Sequence, residues 1–116
     1  MKRNTAQLKE QLIQTGIEEI GKHGIEQLSL RTVAKACGVT HGSPYRHFES
    51  KEGYLKVVLT QLSLFLNQEI NEKIDATGSA RDQLTQLGLN FIIFAKTYPH
   101  FFEALFIKFP FKYMKV

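Results

Sequence analysis

The chain has 116 residues, a formal charge of +4 and 43 % apolar residues, enough for one domain with a real core. It contains no run of about 18 apolar residues, which excludes an ordinary membrane-spanning helix, and its start, Met-Lys-Arg-Asn-Thr, lacks an apolar signal core, so a cytoplasmic location is expected. The single cysteine, Cys37, excludes an internal disulfide and reads as a small buried apolar side chain.

Residues 5–23 read as the first helix. Leu8, Leu12, Ile13, Gly16, Ile17 and Ile20 mark its dry face, while Lys9, Glu10, Gln14, Glu18 and Lys22 mark the wet one. Asn4 or Thr5 caps its start and Gly24 ends it. Gly16 predicts the close approach of another helix. Lys2 and Arg3 precede it as a basic arm, either a solvated terminus or a DNA contact. Ile25 to Leu28 form a linker, with Ile25 and Leu28 turned inward.

Ser29 is a good N-cap for a second helix over about 30–37, striped by Leu30, Val33, Ala34 and Cys37. Gly38 follows where a left-handed backbone is favoured. Val39 plugs the angle to a short third helix, with Tyr45 and Phe48 on its buried side. Helix, glycine turn, helix is the arrangement that sets a second helix into the major groove of DNA. Thr40 is the expected start of that reading helix, so His41, Gly42 and Ser43 fall in its exposed first turn. Pro44 leaves two alternatives. With Thr40 as cap it removes the first helical hydrogen bond; with Ser43 as cap it takes the favoured first position.

Ser50 caps a fourth helix. Lys51 in its first turn opposes the helix dipole, which makes sense if a phosphate binds there. Tyr54, Leu55, Val58, Leu59, Leu62, Phe65, Leu66 and Ile70 continue one apolar face to about Ile74. Asp75 to Ser79 breaks the chain, and Ser79 caps a fifth helix over about 80–97, stopped by Tyr98-Pro99. A sixth, unusually aromatic element follows, with Phe101, Phe102, Phe106, Phe109 and Phe111, ended by Pro110.

Gly38-Val39-Thr40, Tyr45-Arg46-His47-Phe48, Lys51-Glu52 and Leu55 together resemble the DNA-binding signature of the tetracycline-repressor (TetR) family over roughly residues 6–60. Tyr98-Pro99, Phe102 and Leu105-Phe106 resemble the opening of the ligand domain in a subset of that family. Pro44 departs from the majority pattern, where a larger side chain is commoner, and the chain is shorter than is usual for the family. The resemblance implies an all-α fold: a three-helix DNA-binding domain with a helix-turn-helix at residues 1–50, then a linking helix and a partial helical ligand or dimerisation domain at 51–116.

It implies phosphate contacts for Tyr45, His47 and Lys51. Tyr45 is otherwise a half-buried ring, and His47 otherwise ties the third helix to its neighbours. Arg31 and Thr32, in the first turn of the second helix, either contact phosphate or, for Arg31, form a plain surface charge. Thr40, His41, Gly42 and Ser43 are the candidates for base edges. The partner expected is double-stranded DNA, read by a homodimer through two half-sites, with repression relieved by a small-molecule inducer. The positive charge fits: up to Thr60 there are nine Lys/Arg against six Asp/Glu, and beyond it six against five. The other reading is a helical interaction module that associates through its aromatic end. His41, His47 and Cys37 have no metal-ligand spacing, and no nucleophile or phosphate-cradling motif occurs, so neither enzyme activity nor a cofactor is expected.

Overall fold

The structure, a computed structural model, describes residues 4–108; the arm at Lys2 and Arg3 and the expectations for Phe109, Pro110 and Phe111 lie outside the described residues. Helix α1 spans Thr5–His23. Its first turn is closed by a capping box, with the Gln7 N–H donating to Asn4 Oδ1 at 2.7 Å and the Asn4 N–H donating to Gln7 Oε1 at 3.1 Å. A 3₁₀ turn, Ile25–Gln27, leads to α2, Leu30–Ala36, where Ser29 accepts from the Thr32 N–H. Gly38 then adopts φ 72°, the left-handed residue that ends α2 and turns the chain.

Helix α3 is Ser43–Phe48 and α4 is Lys51–Asn71. Ser50 caps α4 by accepting from the Gly53 N–H at 3.0 Å. Helix α5, Ala80–Thr97, starts at Ser79, whose hydroxyl accepts from the Asp82 N–H at 3.0 Å. The loop before it is held by Asp75, which accepts from the Thr77 hydroxyl at 2.6 Å and the Thr77 N–H at 2.9 Å. Those bonds hold its carboxyl below the ordinary carboxylate range. Helix α6, Pro99–Glu103, runs directly into a π-helical turn, Ala104–Lys108. The described residues are all helix and turn, as the apolar periodicities predict.

One apolar cluster joins α1, α2, α3 and the first half of α4. Tyr54 is its tie. The side chain is fully buried, and its hydroxyl donates to the Leu12 carbonyl at 2.6 Å, 42 residues away. Gly16 makes room for it, because a Cβ there would stand 2.0 Å from Tyr54 Oη. Burial pushes the phenol far above its usual range, so it stays a neutral donor. The edge of Tyr54 meets the Phe48 ring at 5.0 Å, which connects the end of α3 to the same tie. Cys37 is buried here as expected, with its sulfur 3.3 Å from Thr15 Oγ1.

This core does not stop near residue 50. Leu55, Val58 and Leu62 of α4 belong to it, and so does Ala104, from the far end of the described chain, with no exposed surface. The Lys108–Glu26 ion pair joins the π turn to the 3₁₀ turn ahead of α2. The second half of α4 packs on α5, where buried Asn90 donates to the Ile70 carbonyl at 2.9 Å and accepts from Gln86 at 2.7 Å. Rings of Phe65, Phe94, Tyr98 and Phe101 meet edge-to-face, tilted or stacked at 5.1 to 6.1 Å and fill the rest of this half.

Candidate nucleic-acid interface

The turn between α2 and α3 differs from the expected one. Helix α3 begins at Ser43, not at Thr40, and Gly42 holds the N-cap position with no side-chain cap. Thr40 instead closes a separate turn around His41 and Gly42, its carbonyl accepting from the Ser43 N–H at 3.0 Å. Pro44 sits at the second helical position. There its missing N–H costs nothing, because first-turn donors have no helical partner. Neither of the two caps considered for Pro44, Thr40 or Ser43, is used.

The expectation that Ser43 presents its hydroxyl to bases is corrected. Ser43 is 2 % exposed and Pro44 is fully buried, so this pair faces inward and anchors the start of α3. The remaining candidates at this edge lie outside: Thr40, His41 and Gly42 are exposed, as is neighbouring Arg46, and Tyr45, expected on the buried side of this helix with Phe48, is instead 47 % exposed on α3. No heavy atom lies within 4 Å of where a Gly42 Cβ would be, so the backbone there is open to approach. Phe48 points the other way into the core. His47 is half-buried, its ring tilted against Phe48 at 6.2 Å, which orients it beside the core without hiding it.

Lys51 is exposed in the first turn of α4. Glu49, between α3 and α4, has φ 66° and ψ −37°, and the Ser50 N–H donates across it to the Phe48 carbonyl at 2.7 Å. This is a tight three-residue turn with a strained residue at its centre. It fixes the angle at which the α4 N-terminus follows α3. Arg31 and Thr32 are exposed at the start of α2. The Thr32 N–H is already donated to Ser29 Oγ at 3.4 Å, which leaves its side chain for other contacts.

Lys9 is a basic residue that sequence periodicity left on the wet face of α1. The fold carries its ammonium over the Phe48 ring, 5.6 Å from the centroid, at the base of α3. The contact joins residues 39 positions apart, and no local pattern marks it. Away from this edge, Phe101 lines two clefts of about 240 and 310 Å³, one shared with α1 and α4 and the other with α1 and the α5–α6 junction, at the small end of ordinary ligand pockets. Among the described residues no group of three His, Cys, Asp or Glu is placed to hold a metal ion, and no helix is long and apolar enough to cross a membrane.

A short exposed helix, propped behind a glycine turn by two others, with basic side chains beside its outer edge, defines a helix-turn-helix protein. Residues 12–58 match the family model of bacterial regulatory proteins, tetR family, and the chain belongs to that family through this segment. It is 34 % identical over 86 residues to the probable acrEF/envCD operon repressor of Escherichia coli (strain K12), covering 73 % of this chain and 38 % of the relative. It is 28 % identical over 82 residues to the HTH-type transcriptional repressor KstR2 of Mycolicibacterium smegmatis, covering 71 % and 40 %. The fold is similar to the crystal structure of a TetR-family transcriptional regulator from Haemophilus influenzae, with TM-score 0.62 at 22 % identity, over 90 % of this chain and 57 % of that one. The chain thus spans about two fifths of the length of these curated relatives.

Proposed function

We propose that the chain is a sequence-specific DNA-binding regulator, acting as a repressor in the cytoplasm and released by a small molecule. Residues 1–50 carry the reading head, and 51–116 link it to the regulatory half. The observation that carries this reading is the outer edge of α3: Tyr45 stands out on it, and Lys51 is exposed just beyond it. Tyr45 and Lys51 hold phosphates, His47 assists, and Thr40, His41 and the bare Gly42 backbone meet base edges. Arg31 and Thr32 take the flanking phosphate at the start of α2. The names of the two relatives, both repressors, support the sign of regulation. Two copies would read half-sites about 34 Å apart, or a multiple.

The test is fluorescence anisotropy with the duplex upstream of the chain's own gene, titrated across salt. Each phosphate contact contributes about 0.9 to the slope of log K against log salt, so Lys51→Ala in both copies should flatten it by about 2. An unchanged slope would count against the assignment of Lys51. Equal affinity for a scrambled duplex would remove sequence-specific regulation altogether. The exposed aliphatic residues of α5 favour the reading of an interaction module, which predicts association with no DNA affinity even at low salt.

A further inference from the structure

Lys9 is not accounted for by its own helix. Its neighbours three and four residues away along α1 are Thr5, Ala6, Leu12 and Ile13, so no carboxylate stands within helical reach. Among the described residues it forms no ion pair, and exposed Glu49 and Glu52 leave it unpaired as well. Leu12 and Ile13 are buried, which puts Lys9 at the edge of the apolar stripe. A lysine in that position lays its four-carbon stem on apolar surface and keeps its ammonium in water. Here the ammonium comes out over the face of Phe48, the last residue of α3, 5.6 Å from the ring centroid.

Three helices converge on that ring. His47, one residue earlier, tilts against it at 6.2 Å. The Ser50 N–H donates to the Phe48 carbonyl at 2.7 Å, and α4 opens at exposed Lys51 immediately beyond. An ammonium resting on a ring uses the aromatic face on one side and keeps N–H donors for an anion on the other. We propose that Lys9 holds a backbone phosphate of the duplex, beside those taken by His47 and Lys51, so that α1 grips the DNA together with α3 and α4. This assignment rests on the reading of the chain as a DNA-binding regulator. Phosphate is the target and not a base edge, because lysine is a compact point charge on a flexible stem and α1 is not the helix set into the groove. Each strand carries a phosphate about every 3.4 Å of rise, so neighbouring cations can take one each.

The test compares Lys9→Met, Lys9→Arg and Lys22→Met by fluorescence anisotropy across salt, on the duplex upstream of the chain's own gene and on a scrambled one. Lys9→Met keeps an apolar stem on Phe48 and removes the charge. It should flatten the slope of log K against log salt by about 2 when two copies are bound, and should weaken both duplexes by the same factor. Lys9→Arg should keep the wild-type slope. Lys22→Met, in the last turn of α1 and about 20 Å along the helix, should keep it too. Thermal unfolding of Lys9→Met should shift by less than about 4 °C, because an exposed cation–π contact is weak. If Lys9→Met fails to fold by circular dichroism, Lys9→Gln carries the same comparison. An unchanged slope in Lys9→Met, a Lys9→Arg as weak as Lys9→Met, a Lys22→Met that matches Lys9→Met, or a loss confined to one duplex overturns the contact. Wild-type binding with the Lys9→Met slope intact removes this contact alone, whereas a wild type that ignores every duplex at low salt removes the regulator reading and the contact with it.

Discussion

Gly16→Ala, examined singly and together with Tyr54→Phe, probes the tie between α1 and α4. The new methyl would sit 2.0 Å from Tyr54 Oη and 2.9 Å from Cζ, both on a fully buried ring. Alanine gains about 1 kcal/mol of helix propensity over glycine, whereas overpacking costs about 1–3 kcal/mol and displaces the 2.6 Å bond to Leu12, about 1 kcal/mol more. The net expectation is a loss of about 2 kcal/mol. Tyr54→Phe alone should cost about 1 kcal/mol, since the Leu12 carbonyl lies within α1 and keeps a helical acceptor role. In the double variant the phenylalanine has no hydroxyl at the point of closest approach, so the alanine is better accommodated and the total should fall short of the sum by about 1 kcal/mol. The assay is urea unfolding followed by circular dichroism, where a loss of about 2 kcal/mol moves the midpoint by about 1 M. Strictly additive losses would refute the claim that the glycine is there to admit the hydroxyl.

Ser43→Ala should leave the preferred DNA sequence unchanged, because Ser43 faces inward, whereas His41→Ala should alter it; a binding-site selection in which Ser43→Ala changes the motif would contradict the geometry. Asn90→Leu removes the donor to Ile70 and should cost about 1–2 kcal/mol in the same urea assay, against little change for exposed Thr85→Ala. Asp75 has a folded pKa below its ordinary value, so the support it gives the 75–79 loop is present at neutral pH and is lost only as acid protonates it. The protection factor of the Thr77 amide, its exchange rate relative to an unstructured amide at the same pH, should therefore hold at pH 7 and fall below the ordinary carboxylate range, and Asp75→Asn should abolish that pH dependence of the protection factor.

Much of this architecture was legible because its signals are local. Asn4 and Gly24 bracket α1, Ser29 and Gly38 bracket α2, and Ser50 and Ser79 open α4 and α5, each through a cap that a few neighbouring residues specify. The apolar stripe of α4 correctly placed Tyr54 inside, and Gly16 correctly marked a close approach. That the two meet was not legible, because their pairing is set by the helix crossing and not by spacing. The start of α3 was misplaced because Thr40 and Ser43 are equally good cap residues in sequence; the fold uses Gly42 and buries Ser43 beside Pro44. Lys9 escaped notice for the same reason as Ala104, since each gains its meaning from a residue far along the chain.

Ala104 ties the aromatic half to the reading head by lying in the head's own core. Loosening the π turn would uncover apolar surface beneath α1, so neither half can melt without weakening the other. Scanning calorimetry should accordingly record one endotherm for the whole chain, and Ala104→Asp, which puts a carboxylate into that shared interior, should lower the temperature at which both halves come apart together.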